Sequence, residues 1–117
     1  MLRLGIVLTL LALSTAAVLA IDTSPLEGEL FIAGKTPVDP PRNEPKNTHG
    51  YVTITGPAAM RMYQAMRGKA ADDLCQSGYK VKRAGKLSCS LGEGGKKAAC
   101  DFSIDLIRGT LADGRPC

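Results

Sequence analysis

The sequence predicts an α+β fold: a small antiparallel meander sheet in the order β-α-β-β-β-β, carrying one packed helix and stapled by two disulfides. Three observations predict it. The run "YVTITG" (51–56) alternates at period two and is rich in β-branched residues, which marks a strand with one buried face. The next run, "PAAMRMYQAM" (57–66), places Ala59, Met62, Tyr63 and Met66 at three- and four-residue steps, one face of a helix. From Tyr79 onward, short alternating runs are divided by glycine-bearing turns, and the chain holds four cysteines. A domain too small for a large core often needs such covalent help.

Taken in order, residues 1–20 read as a signal peptide. Arg3 supplies the positive start, and Leu4 to Leu13 form an apolar run too short to span a bilayer comfortably. Val18-Leu19-Ala20 offers a site of the kind a signal peptidase reads. Cleavage is expected after Ala20, with Ala17 as the alternative and an uncleaved anchor as the competing reading. No cysteine follows the apolar run and there is no twin arginine, so the general secretory route is expected rather than lipidation. The cleaved chain would carry no transmembrane segment and make one small domain at most.

Residues 21–49 read as a Pro-rich, largely extended or disordered leader. "TPVDPPRNEPKN" holds four of the seven prolines, a density that blocks helix and sheet ladders and favours polyproline II. Inside it, "ELFIAG" (29–34) is β-prone. It reads equally as a strand on the edge of the domain and as an apolar patch in a linker.

The folded domain is expected over residues 50–117. Pro57 suits the first helical position, where its missing N–H is not needed, and Gly68 is placed to end the helix. Downstream, Gly85 suggests a three-residue hairpin loop, Arg83-Ala84-Gly85, pairing Val81 with Leu87 and Tyr79 with Cys89. Across "GEGGKK", pairing Leu91 with Ala98 continues as Cys89 with Cys100 and Leu87 with Phe102. A one-residue slip would mix the faces. Leu111 returns as a last short strand. Facing antiparallel positions lie within the reach of a disulfide, so Cys89 and Cys100 are expected to be bonded. Cys75 and Cys117 remain as the second pair, tying down a terminus that would otherwise fray. Its longer loop predicts a contribution at least as large as that of the hairpin bond.

Little in the chain suggests catalysis or a cofactor. No close C-x-x-C pair is present for a metal or a redox centre, and His49 is the only histidine. "GEGGKK" lacks the spacing and the hydroxyl of a phosphate loop. Asp72 and Asp73 are adjacent, and successive residues seldom share a face, so they read as turn or helix-end residues rather than an acid–base pair. Asp101 and Asp105 share a strand face, which reads as solvated charge before it reads as a weak cation site. No enzyme, no metal and no cofactor are expected.

Charge points to binding. Residues 50–117 hold eleven Lys/Arg against six Asp/Glu, and residues 21–49 hold three against five. Lys80, Lys82 and Lys86, with Lys96 and Lys97 on the following turn, form the candidate basic binding surface. Outside the cytoplasm, anionic partners are lipid headgroups, polyanionic wall components or acidic proteins. Nucleic acid is not expected, given so few stacking aromatics. The runs "DPPRNEPKNTHGYVTITGPAAMRMYQAM" and "CDFSIDLIRGTL" resemble small exported proteins of Gram-negative bacteria of uncharacterised function. The resemblance implies a periplasmic or secreted setting and carries over no site residue. The expected function is a monomeric, non-catalytic binding module for a protein partner or an anionic envelope component. An inhibitor or immunity protein against a cell-wall hydrolase is the alternative, and a small hydrolase using Asp72 or Asp73 the second.

Overall fold

The structure, a computed structural model, describes residues 23–117; the expected signal peptide and its cleavage sites lie outside the described residues. Seven strands and one helix follow in the order β1 (Glu27–Ala33), β2 (His49–Thr55), α1 (Gly56–Ala65), β3 (Ala71–Asp72), β4 (Lys80–Ala84), β5 (Leu87–Leu91), β6 (Ala98–Asp105) and β7 (Thr110–Ala112). They form one antiparallel sheet in the order β1-β2-β6-β5-β4-β3, with β7 beside β6. The helix packs on one side of it, so the architecture is α+β. Among the described residues no helix is long and apolar enough to cross a membrane.

Period-two patterning assigns the faces. Ile54, Cys100 and Cys89 stand side by side across β2, β6 and β5 and face the helix. Together with Ala59 and Tyr63 from α1 and Ala98 from β6 they make the buried core, against which Met62, Met66, Leu87 and Phe102 pack. The helix begins at Gly56, so Pro57 stands in its first turn, one residue later than the first position expected for it. The helix ends at Ala65, before Gly68, where the Met66 N–H bonds to the Met62 carbonyl. Both expected disulfides are formed, Cys75–Cys117 and Cys89–Cys100.

The β5–β6 register is the one derived from the apolar pattern, with Leu91 opposite Ala98 and Cys89 opposite Cys100. The β4–β5 register corrects the sequence reading. Ala84 pairs with Leu87, Lys82 with Cys89 and Lys80 with Leu91, so the turn is the two residues Gly85-Lys86, not Arg83-Ala84-Gly85. Of these two only Gly85 has positive φ, +57°, the glycine-first pattern of a type II′ hairpin turn. The shift turns Lys82 toward the helix and Val81, which is buried, to the opposite face.

Residues 27–33 settle the open reading of the leader. They form strand β1, paired along its whole length with β2, so the sheet reaches back to Glu27. The connection from Gly34 to Thr48 is anchored to the domain. Thr36 donates through its backbone N–H and its hydroxyl to the two Glu44 carboxylate oxygens, at 3.0 and 2.8 Å. The buried Tyr51 hydroxyl donates to the carbonyls of Gly34, at 2.8 Å, and Lys35, at 3.2 Å.

Candidate functional site

The face of the sheet away from α1 is partly covered by the chain's own C-terminal tail. Leaving β7, the tail is held where the Ser103 hydroxyl, fully buried, donates to the Asp113 carbonyl at 2.6 Å. At Gly114 a Cβ would come within 2.9 Å of the Asp101 side chain, so only glycine lets the tail lie this close. Farther on, the Arg115 guanidinium sits 5.5 Å from the Phe31 ring centre, and Cys117 ends on Cys75.

Between this tail, the β6–β7 turn and the start of β2 lies a groove of about 710 Å³. Tyr51, Ser103 and His49 line it along the sheet, and Lys35, Arg108 and Lys86 bring positive charge to it. The aromatic rings of this face form a row. Phe31 stacks on Tyr51 with ring centres 4.9 Å apart, and His49 lies 6.1 Å from Tyr51. His49 is also paired in register with Asp105, and its Nδ1 lies 2.9 Å from the Thr48 hydroxyl.

The two carboxylates of the groove are already engaged. Asp105 Oδ1 accepts the backbone N–H groups of Ile107 and Arg108, each at 3.0 Å. The Arg108 N–H bond is the main cause that holds the Asp105 carboxyl below the usual aspartate range. Desolvation opposes it, and the Ile107 N–H and the nearby charges of His49 and Arg108 assist. Asp113 pairs with Lys86 at 3.3 Å. Among the described residues Lys35 and Arg108 have no carboxylate within ion-pair distance. The groove therefore has a cationic surplus. Tyr51 is pushed above the usual tyrosine range by burial first and by the Glu44 charge second, so its hydroxyl stays a neutral donor to the Gly34 and Lys35 carbonyls.

The five lysines read from the sequence are not brought together. Lys80 is ion-paired with Asp72, which raises the lysine and lowers the aspartate through their mutual hydrogen bond. Lys82 points inward, correcting its expected place on the outer surface. Its Nζ donates to the carbonyls of Tyr63 and Met66 at 3.1 and 3.2 Å and lies 4.4 Å from the Tyr63 ring centre. A cation at the C-terminal end of α1 complements the helix dipole. Lys86 joins the groove, at the β4–β5 turn. Lys96 and Lys97 lie at the other end of β5, beside a mainly apolar hollow of about 640 Å³ lined by Pro57, Met60 and Tyr79.

The remaining sequence candidates have structural tasks. Asp73 accepts the Cys75 N–H at 2.8 Å and so caps a turn. Asp101 accepts the Thr53 hydroxyl at 2.6 Å. Among the described residues no three His, Cys, Asp or Glu side chains are grouped to hold a metal, and all four cysteines are bonded. Lys35, Tyr51 and Arg108 escaped the sequence reading as site residues. Period two does place His49 and Tyr51 on one face, but their meeting with Asp105 and Arg108 needs the β2–β6 pairing. No protein-family model, curated protein or solved structure matches this chain.

Proposed function

We propose that this protein is an exported, non-catalytic binding module, working in the periplasm or outside the cell, that recognises an anionic component of the envelope through the far-face groove. One observation carries the reading: the groove's carboxylates are engaged with backbone N–H groups and with Lys86, while Lys35 and Arg108 are left to meet a ligand. Unpaired cations around a concavity favour anions. The side chains that could act as nucleophile and base support binding over catalysis. The Ser103 hydroxyl is buried on the Asp113 carbonyl, and Asp105 Oδ1 is held by the chain. Export is supported by the composition of residues 1–20 and by two disulfides, which persist in oxidising compartments.

The test is co-sedimentation of protein, purified after expression of the full chain, with vesicles of phosphatidylglycerol in phosphatidylcholine. Binding should need the anionic lipid and weaken with salt. Each cation near an anionic surface contributes about 1 kcal/mol, so Lys35→Gln with Arg108→Gln should lower affinity roughly thirtyfold. Equal binding to neutral vesicles, or indifference to the double substitution, would refute the reading. Intact mass of periplasmic material should begin at Ile21 or Val18. Full-length chain found only in the cytoplasm would sink the export part.

A further inference from the structure

The sheet ends in two unlike edges. At one end β3 is two residues long, and its Asp72 is ion-paired with Lys80 of β4. At the other end β1 runs seven residues, contains no proline or lysine, and pairs only with β2 among the described residues. Long unpaired edges are templates for strand addition, and proteins usually blunt them. This one is also apolar on the helix side. Leu30 and Ile32 are 65% and 51% exposed, and with Leu106 they converge over Gly50, whose missing side chain leaves their tips room.

We propose that β1 pairs antiparallel with β1 of a second copy, in the register that sets Leu30 opposite Leu30 on a two-fold axis. The occupant is argued from self-complementarity. In this register Ile32 falls opposite Gly28 of the second copy, where there is no side chain to obstruct it. The Leu30 and Ile32 side chains of both copies then form one apolar strip on the helix side. On the far face Glu29 falls opposite Phe31 of the second copy. Phe31 carries Arg115 over its ring, so each Glu29 meets the second copy's Arg115, and the pair occurs twice. Cross-strand neighbours at about 5 Å are close enough for this. Sliding the register by two in one direction would set Glu29 against Glu29, which disfavours it. Sliding it by two in the other would shorten the ladder and separate Glu29 from the ring that carries Arg115. The contact is isologous and closes on itself, so it gives a dimer and not a fibre.

The two-fold axis stands perpendicular to the sheet, so both grooves open to the same side. A dimer would then present two anion sites to one surface and gain avidity. That consequence rests on the groove reading above, whereas the pairing itself does not.

Sedimentation equilibrium of protein purified after expression of the full chain tests the pairing. The wild type should show a reversible monomer–dimer equilibrium, and Leu30→Lys should weaken it at least about tenfold. Leu30 is exposed, so the variant should keep its circular dichroism spectrum. Glu29→Arg and Arg115→Glu alone should each weaken the dimer roughly tenfold, and the two combined in one chain should restore it. A wild type that stays monomeric, leaving the edge to some other strand, overturns the proposal. So does a dimer indifferent to Leu30→Lys, or a charge exchange that fails to rescue. The vesicle assay runs separately with the Lys35 and Arg108 variants, so failure of the groove reading is distinguishable from failure of the dimer.

Discussion

Replacing Cys89 and Cys100 together by alanine sets burial against loop length. Their bond spans 11 residues, and the Cys75–Cys117 bond spans 42. By loop-closure entropy alone, the first constrains the unfolded chain by about 3 kcal/mol and the second by about 4. Loop length therefore ranks the terminal bond first. Burial reverses that order. Cys89 and Cys100 are both 0% exposed, with the Cys100 sulfur 3.7 Å from the Ala59 carbonyl of α1. Removing two buried sulfurs leaves a gap of about two methyl groups, at about 1 kcal/mol each. The core pair should thus cost about 5 kcal/mol. Cys75 and Cys117 are exposed, add no packing loss, and should cost about 4 at most. Domains of this size are stable by only about 5–10 kcal/mol, so the core variant sits near the limit of folding. Urea unfolding midpoints, compared at measured m-values, decide the order. Cys89→Val with Cys100→Val, which refills the gap, should recover about 1 kcal/mol over the alanine pair. A terminal pair that costs more than the core pair, or a valine pair no better than alanine, would refute the packing argument.

Three further outcomes follow from the same geometry. Tyr51→Phe removes the donor to the Gly34 and Lys35 carbonyls and should cost about 1–2 kcal/mol. Faster amide exchange should appear between Gly34 and Thr48, and unchanged exchange there would contradict the anchoring role. Lys82→Met keeps the stem but removes the cation from the end of α1 and should cost about 1–2 kcal/mol in urea unfolding; a neutral or stabilising result would count against it. Asp105 has a folded-state pKa below its unfolded value. Its contribution is therefore present above the unfolded value and lost as pH falls through the folded one. Asp105→Asn should flatten the decline of stability below about pH 4, and an unchanged acid limb would show that the carboxylate does not contribute.

What could be read from the sequence was set by how unambiguous each pattern is. The β5–β6 register was legible because Leu87, Cys89 and Leu91 alternate cleanly, and Ala98, Cys100 and Phe102 answer them. Both disulfides came with it, one by register and one by elimination. The helix was legible from its 3.6 period and from Pro57. The β4 register was not, because an apolar/polar code scores Lys82 as outward. In the fold its ammonium is satisfied by carbonyls of Tyr63 and Met66, 19 and 16 residues earlier, while the apolar Val81 takes the other face. Strand β1 could be suspected from "ELFIAG" but not assigned, since among the described residues it pairs with β2 alone, which leaves Leu30 and Ile32 exposed. The groove was invisible for a related reason. It depends on Tyr51 meeting Ser103 across β2 and β6 and on a tail whose residues show no periodicity.

The tail gives the terminal disulfide a role that stability alone does not express. Asp113, Gly114 and Pro116 form one side of the groove. They are placed by the Ser103–Asp113 hydrogen bond, the Lys86–Asp113 ion pair and the Cys75–Cys117 bond. The ion pair is exposed on both partners, and such pairs contribute about 0–1 kcal/mol. The hydrogen bond contributes about 1 kcal/mol. The Arg115 contact with the Phe31 ring adds about 0.5–1 kcal/mol. Without the disulfide, then, only about 2–3 kcal/mol holds the tail against the entropy of ordering its five residues. Five ordered residues cost more than that, so the tail should leave the sheet while the helix–sheet core stays intact. Cys75→Ser with Cys117→Ser should accordingly weaken binding to anionic vesicles without abolishing it, with circular dichroism of the folded protein little changed. Freed from Asp113, Lys86 would join the cationic surplus, so residual binding to anionic vesicles should become more salt-sensitive. Full retention of wild-type affinity and salt dependence by this variant would show that the tail forms no part of the binding site.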